Sequence, residues 1–215
     1  MSETVGYDQV VRMLRGAAEK VTTQHAHLSK LDAAIGDGDH GTAMRKAMSL
    51  LAKAVAENRT RDLGALLSEV GWAILGAGGG STGPLFGTFF MGMSEAANEK
   101  VSLDVPELAT VFTHALASVR KQTQAEPGDK TLLDALIPAV EAFRSAADAG
   151  KGPALALADA ATAAEQGAEA TTDMQARFGR AKNLGERSKG TADPGATSVG
   201  LMFRGFADGL AAGGQ

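Results

Sequence analysis

Apolar residues return every three or four positions along almost the whole of this 215-residue chain, and strict two-residue alternation is hard to find anywhere. A half-buried strand needs the alternation and an amphipathic helix the longer period, so the pattern commits the chain to helices. Val10, Leu14, Ala17, Ala18, Val21 and Leu28 mark a first helix. Met44, Met48, Leu51 and Val55 mark a second; Leu63, Leu66, Leu67, Val70 and Ile74 mark a third, with Asp62 as its N-cap. Pro84 suits the first turn of a fourth helix carrying Leu85, Phe86, Phe89, Phe90 and Met93. Asp104 and Glu107 form a capping box ahead of Leu108, Val111, Phe112, Ala115, Leu116 and Val119 in a fifth. A sixth spans about 131–143, with Pro138 its expected kink, and an alanine-rich seventh covers about 153–176. "ATSVGLMFRGFADGLAAG" supplies a short last helix. The expectation is an all-α chain of eight helices and no strand, forming one domain over residues 1–215.

Four loops carry the unusual residues: 32–42, 76–84, 123–131 and 179–197. They join helices one to two, three to four, five to six and seven to eight. If the helices run up and down, all four loops share one end, which suggests a single composite site. With 44% hydrophobic residues the chain has enough apolar surface for one substantial core. A net charge of -4 leaves no basic excess for a nucleic-acid backbone. The absence of cysteine excludes disulfides, thiolate nucleophiles and Cys-rich zinc sites, and it suits a reducing compartment. "MSETVGYDQVVRM" lacks a signal-peptide layout, and no apolar run approaches the roughly 18 residues of a membrane span. A cytoplasmic location without nucleic-acid or membrane partners is expected.

"LDAAIGDGDHGTAMRKAM" places Asp32, Asp37 and Asp39 together among Gly36, Gly38 and Gly41. The glycines spell G-x-G-x-x-G, but a dinucleotide site needs a preceding strand and no carboxylates beside the pyrophosphate. An EF-hand fails too, with Thr42 where glycine is required and Met48 where glutamate is required. "GERSKGT" lacks the Lys-Ser/Thr that completes a P-loop. What remains is three carboxylates that repel unless a cation sits between them. All-oxygen ligands favour Mg²⁺, Mn²⁺ or Ca²⁺ over zinc. The bland alternative is that Asp32 caps a helix and "DGD" is a solvated turn. If the ion is Mg²⁺, its remaining ligands are waters and substrate phosphates. "GGGSTG" before a helix start offers unobstructed backbone N–H groups to such phosphates, though a glycine hinge looks the same. "DPGATS" reads equally as a turn with an N-cap. His25, His27 and His114 sit on helices, whereas His40 lies inside the aspartate loop. Lys130, Arg180 and Arg187 are loop cations that either clamp phosphate or are merely solvated.

"IGDGDHGTAM", "GGGSTGPLFGTFF", "PGDKTLLDAL" and "LGERSKGTADPGATSVGL" resemble, in the same order, the motifs of the nucleotide-binding L subunit (DhaL) of dihydroxyacetone kinases. The resemblance spans nearly the whole chain. It implies an eight-helix antiparallel barrel with ADP or ATP at one end, held through two Mg²⁺ by Asp32, Asp37 and Asp39. It also implies that His40, Gly41, Thr42 and Ala43, with Ser81 and Thr82, approach the phosphates. Thr123, Leu132, Arg180, Arg187, Asp193, Pro194 and Gly195 fall in segments similar to those enclosing adenine and ribose. Thr123 stands where relatives often have glycine, Leu132 where methionine is common, and "RAKNLGERS" replaces "RASYLGERS". These departures touch base contacts before chemistry. The family divides its reaction: a separate K subunit binds the hydroxyketone covalently through a histidine. The donor is either exchangeable ATP or a phosphohistidine protein of the phosphotransferase system that recharges resident ADP. The resemblance thus implies a kinase subunit for dihydroxyacetone or a related short ketose. The alternatives are a Mg-dependent phosphohydrolase and a nucleotide-binding regulatory subunit. Self-association is left open.

Overall fold

The computed structural model describes residues 3–78 and 80–213. Among these, two three-residue strands, β1 (Thr4–Gly6) and β2 (Ser102–Asp104), pair antiparallel, with Val5 opposite Leu103. The α-helices are α1 (Tyr7–Thr23), α2 (His25–Ile35), α3 (His40–Glu57), α4 (Leu63–Leu75), α5 (Thr82–Ala96), α6 (Val105–Arg120), α7 (Leu133–Asp148), α8 (Pro153–Ala170) and α9 (Pro194–Ala211). The eight expected helices are all present, with the first divided at Gln24. There the His25 ring lies 2.8 Å from the Thr22 carbonyl and Gln24 N–H bonds back to Val21, so the chain turns and α2 begins afresh. The small sheet escaped the periodicity because three residues are too few to show an alternation. The alanine-rich helix stops at Ala170 and continues as a 3-10 turn, Thr171–Asp173, rather than running to 176. Pro138 lies inside α7, where its missing N–H leaves the Asp134 carbonyl without its usual partner.

The helices form a closed ring. α1 packs on α3, each of α3 to α8 packs on the next, and α9 closes the circle against α1. Direction follows from the contacts: Gly205 faces Gly16 and Ala17, whereas Gly209 faces Arg12 and Met13, so α9 runs antiparallel to α1. A side chain on Gly205 or Gly209 would overlap the α1 backbone, and this close approach is what lets the ring shut. Asp62 caps α4 through Ala65 N–H at 2.5 Å, and Asp104 and Glu107 form the capping box of α6 at 2.8 and 2.9 Å, as the sequence indicates.

The lumen of the ring is filled. Phe112 packs on Phe143 and Phe203 with ring centroids 5.0 and 5.3 Å apart, and Phe203 meets Phe206 and Phe89 at 5.6 and 6.3 Å. Six fully buried phenylalanines hold the helices at fixed spacing and leave ligand binding to the ends. No helix of the described residues is long and apolar enough to cross a membrane.

Candidate functional site

At one end of the ring, residues from all four glycine- and charge-bearing loops line a single cavity of about 470 Å³, well within the ordinary size of a small-ligand site. Asp32, Asp37, Asp39 and His40 come from the first loop and Gly80, Ser81 and Thr82 from the second. The third gives Thr123, Lys130 and Thr131, with Leu132 beside it, and the fourth gives Gly179, Arg180, Asp193, Pro194 and Gly195. A wider groove of about 820 Å³ between α1 and α3 holds Thr42 but none of the aspartates, so the chemistry belongs to the smaller cavity.

Asp32, Asp37 and Asp39 each direct a carboxylate oxygen to within 4.8 Å of the others. Asp32 sits on the last turn of α2 and accepts the His40 N–H at 3.0 Å, so it also fixes how α3 begins. Gly36 lies against its second oxygen, in a space that a Cβ would fill. Gly38 takes φ +80°, the left-handed turn that returns Asp37 and Asp39 toward Asp32. Arg180 reaches across from the fourth loop and forms an ion pair with Asp37. The donor set is carboxylate oxygen, without thiolate or imidazole among the three, which fits a hard divalent cation. Asp32 also helps to start a helix, as the alternative reading of this stretch has it.

His40 ties three helix starts together. Its Nε2 is 2.8 Å from Ser198 Oγ, and Ser198 donates onward to the Pro194 carbonyl at 2.9 Å. The Ser198 proton being used, Nε2–H donates to Ser198, and bare Nδ1 then accepts from Thr82 Oγ1 at 3.3 Å. Burial holds the imidazole below its ordinary pKa, against the pull of the Asp32 carboxylate, so the neutral ring this relay needs is the favoured form. The first turns of α3, α5 and α9 are thereby joined. Those of α3 and α5 have no side-chain cap, which leaves backbone N–H groups at the cavity rim for an anion.

Asp193 caps α9 by accepting Ala196 N–H at 2.7 Å. Removal from water pushes its carboxyl up to about 7, against the opposing pull of Ala196 N–H and the Lys130 ammonium. Leu132 packs against Gly195 within the cavity wall, and Thr123 uses its hydroxyl to accept Ala125 N–H at 3.1 Å.

Several expected site residues do not bring a side chain into the cavity, although the N–H groups of Gly41 and Thr42 belong to the first turn of α3 at its rim. Gly41 is buried against the His25 carbonyl and Ser29, so its lack of a side chain serves the packing of α3 on α2. Thr42, Ala43 and Arg187 do not line the cavity; Arg187 is exposed on a 3-10 segment, Arg180–Ser188. Lys130 is neither a phosphate clamp nor a solvated cation, being buried with its ammonium on backbone carbonyls. Sequence reasoning passed over Ile35, Leu85, Phe86 and Phe178, which line the apolar side, because their spacing is that of ordinary core residues. Ser198 was legible only as part of "DPGATS".

The family model described as the DAK2 domain matches residues 34–208. The ADP-binding subunit DhaL of the PEP-dependent dihydroxyacetone kinase of Escherichia coli K12 is 39% identical over 196 residues, covering 91% of this chain and 93% of that subunit. The L-erythrulose 1-kinase of Mycolicibacterium smegmatis is 33% identical, over 94% of this chain and 35% of that enzyme. Among solved structures, the dihydroxyacetone kinase of C. freundii in complex with AMP-PNP and Mg²⁺ superposes with a TM-score of 0.71 at 26% identity, covering 97% of this chain. The chain spans 35% of the length of that crystallised kinase.

Proposed function

The chain belongs to the DAK2-domain family, and on that premise we propose that it is the Mg-nucleotide-binding, phosphoryl-transfer subunit of a kinase for dihydroxyacetone or a related short hydroxyketone. One observation carries the reading: the carboxylates of Asp32, Asp37 and Asp39, within 4.8 Å of one another, line the same cavity as the first turns of α3, α5 and α9. Asp32, Asp37 and Asp39 would hold Mg²⁺, which would supply charge neutralisation to the phosphates of the donor. The pair of ions is what the resemblance to the DhaL subunits implies for these three aspartates.

The chain's own residues then do four things. The rim N–H groups of α3 and α5, with Ser81 and Thr82, receive phosphate oxygens. His40 stays neutral and keeps those two rims in register with α9 through Thr82 and Ser198. Arg180 exchanges Asp37 for a phosphate. Ile35, Leu85, Phe86, Leu132 and Phe178 form the apolar lining that excludes water from the cavity. Catalysis is positioning and electrostatics, without a protein nucleophile in this site. Residues 1–215 act as one domain, and the acceptor ketone is carried by a separate K subunit.

The relatives matched over nearly their full length bear the names of PEP-dependent and PTS-dependent ADP-binding subunits, which supports ADP as a resident cofactor recharged by a phosphohistidine donor in the cytoplasm. Mass spectrometry of the natively purified chain tests this directly. Retained ADP, with ketone phosphorylation only when the K subunit and a phosphohistidine donor are both added, is the expected result. Turnover of dihydroxyacetone with ATP by the chain alone, at an ordinary rate of about 1–10³ s⁻¹, would overturn it.

A further inference from the structure

Lys130 is only 2% exposed, yet it lies among the residues lining the cavity. Its backbone takes φ +62°, a left-handed conformation that side chains rarely adopt. Such a conformation persists only where its surroundings over-determine it, and they do. Asp129 accepts Glu126 N–H at 2.8 Å and pairs with Arg177 at 3.4 Å, while Asp134 accepts the N–H groups of Gly128 and Thr131 at 2.5 and 2.7 Å. The turn is thus built to send one lysine inward.

The ammonium donates to the Thr171 carbonyl at 2.5 Å and the Thr191 carbonyl at 2.6 Å. Thr171 opens the turn after α8, and Thr191 lies just ahead of the N-cap of α9. Those two segments are also stitched directly, Asp193 N–H to Thr171 Oγ1 at 2.7 Å and Gly190 N–H to the Thr172 carbonyl at 2.8 Å. Three separate pieces of chain therefore meet on one buried side chain, and two of them, at Leu132 and at 193–195, pack against each other as adjoining parts of the cavity wall. Asp193, Asp173 and Asp134 supply the negative field that lets the cation remain there despite burial, which pulls its pKa down.

We propose that Lys130 is a positioning residue for the nucleoside side of the cavity: by cross-linking the 123–131 loop, the turn at Thr171 and the approach to α9, it keeps Leu132 packed against the 193–195 segment as one continuous wall. The inference rests on the nucleotide reading above. It separates the cavity into two functional halves, a phosphate–metal half built from α2, α3 and α5, and a nucleoside half whose wall one lysine holds together.

The test compares Mg-ADP with Mg-pyrophosphate, which lacks the nucleoside, by calorimetry on Lys130→Met and wild type. Lys130→Met should bind Mg-ADP at least about tenfold more weakly while Mg-pyrophosphate changes less than about twofold, and amide exchange across 189–196 should accelerate. A residue that served stability alone would lower the melting temperature without producing that split. Equal losses for both ligands, or unchanged Mg-ADP affinity, would overturn the proposal. Should Lys130→Met fail to fold, the wild type still decides: the Lys130 ammonium resonance in ¹⁵N-lysine-labelled protein should shift with Mg-ADP and not with Mg-pyrophosphate, and no response to Mg-ADP refutes the role. Wild type that binds neither ligand would instead refute the nucleotide reading on which the proposal stands.

Discussion

The guanidinium of Arg180 rests on the carboxylate of Asp37, one of the three aspartates that line the cavity. An arginine in that position is an internal substitute for a cation, and it partly relieves the repulsion among the carboxylates before any ion arrives. Both side chains are well exposed, 62% and 40%, so the pair is worth at most about 1 kcal/mol. A divalent ion has to displace it. Arg180→Gln should therefore bind Mn²⁺ about two- to fivefold more tightly in the absence of nucleotide, as read by paramagnetic resonance, and Mg-ADP more weakly. Weaker Mn²⁺ binding would mean that Arg180 supports the metal site instead of competing for it.

Gly41 makes a separate prediction about packing. A Cβ there would overlap the His25 carbonyl oxygen and crowd Ser29 Oγ and N–H, so α3 and α2 would have to part. Gly41→Ala should lose about 3 kcal/mol or more in denaturant titration, in the range of severe overpacking. At Gly80, where a Cβ meets nothing within 4 Å, the same substitution should cost only its left-handed backbone strain, about 1 kcal/mol. Equal costs at the two positions would show that the α2–α3 contact is looser than its geometry indicates.

Asp193 sets a pH dependence whose sign can be worked out. Its carboxyl is raised from the ordinary 3.8 to about 7 in the folded protein, so the unfolded chain ionises first. The folded state is penalised increasingly as pH climbs from about 4 to about 7, and the penalty is complete above that range. Asn at this position keeps an oxygen for the Ala196 N–H and carries no charge. Asp193→Asn should thus shift the melting temperature more favourably at pH 8 than at pH 5. A shift independent of pH would place the Asp193 titration in the normal carboxylate range.

The site's location was legible before its walls were. Loops 32–42, 76–84, 123–131 and 179–197 meet at one end because successive antiparallel helices leave alternate connections on the same side, and that follows from order alone. The aspartates were legible because three carboxylates in so short a stretch have few explanations. Lys130 was not, since neither burial nor φ +62° shows in "PGDKT"; the carbonyls that receive it belong to Thr171 and Thr191, far along the chain. Phe86 and Ile35 look like core residues because most of their surface is core, and only the end of the ring exposes them to a ligand. The break at Gln24 was hidden because no glycine or proline marks it; a local bond at His25 and the close seating of Gly41 on α2 decide it. Arg187 shares a motif with Arg180 but points elsewhere, since Gly185 (φ +57°) interrupts the 3-10 segment between them.

The central claim is that Asp32, Asp37 and Asp39 bind metal for the sake of a nucleotide. Calorimetric titration of ADP into stripped protein, with excess Mg²⁺ and with EDTA, on wild type, Asp37→Asn and Asp39→Asn tests it most directly. Wild type should bind ADP only with Mg²⁺, and each substitution should remove most of that affinity while the far-ultraviolet helical signal stays native. Asp32→Ala should additionally loosen the start of α3, because Asp32 also accepts the His40 N–H. Equal ADP affinity in wild type and Asp37→Asn under saturating Mg²⁺, with both proteins folded, would contradict the account.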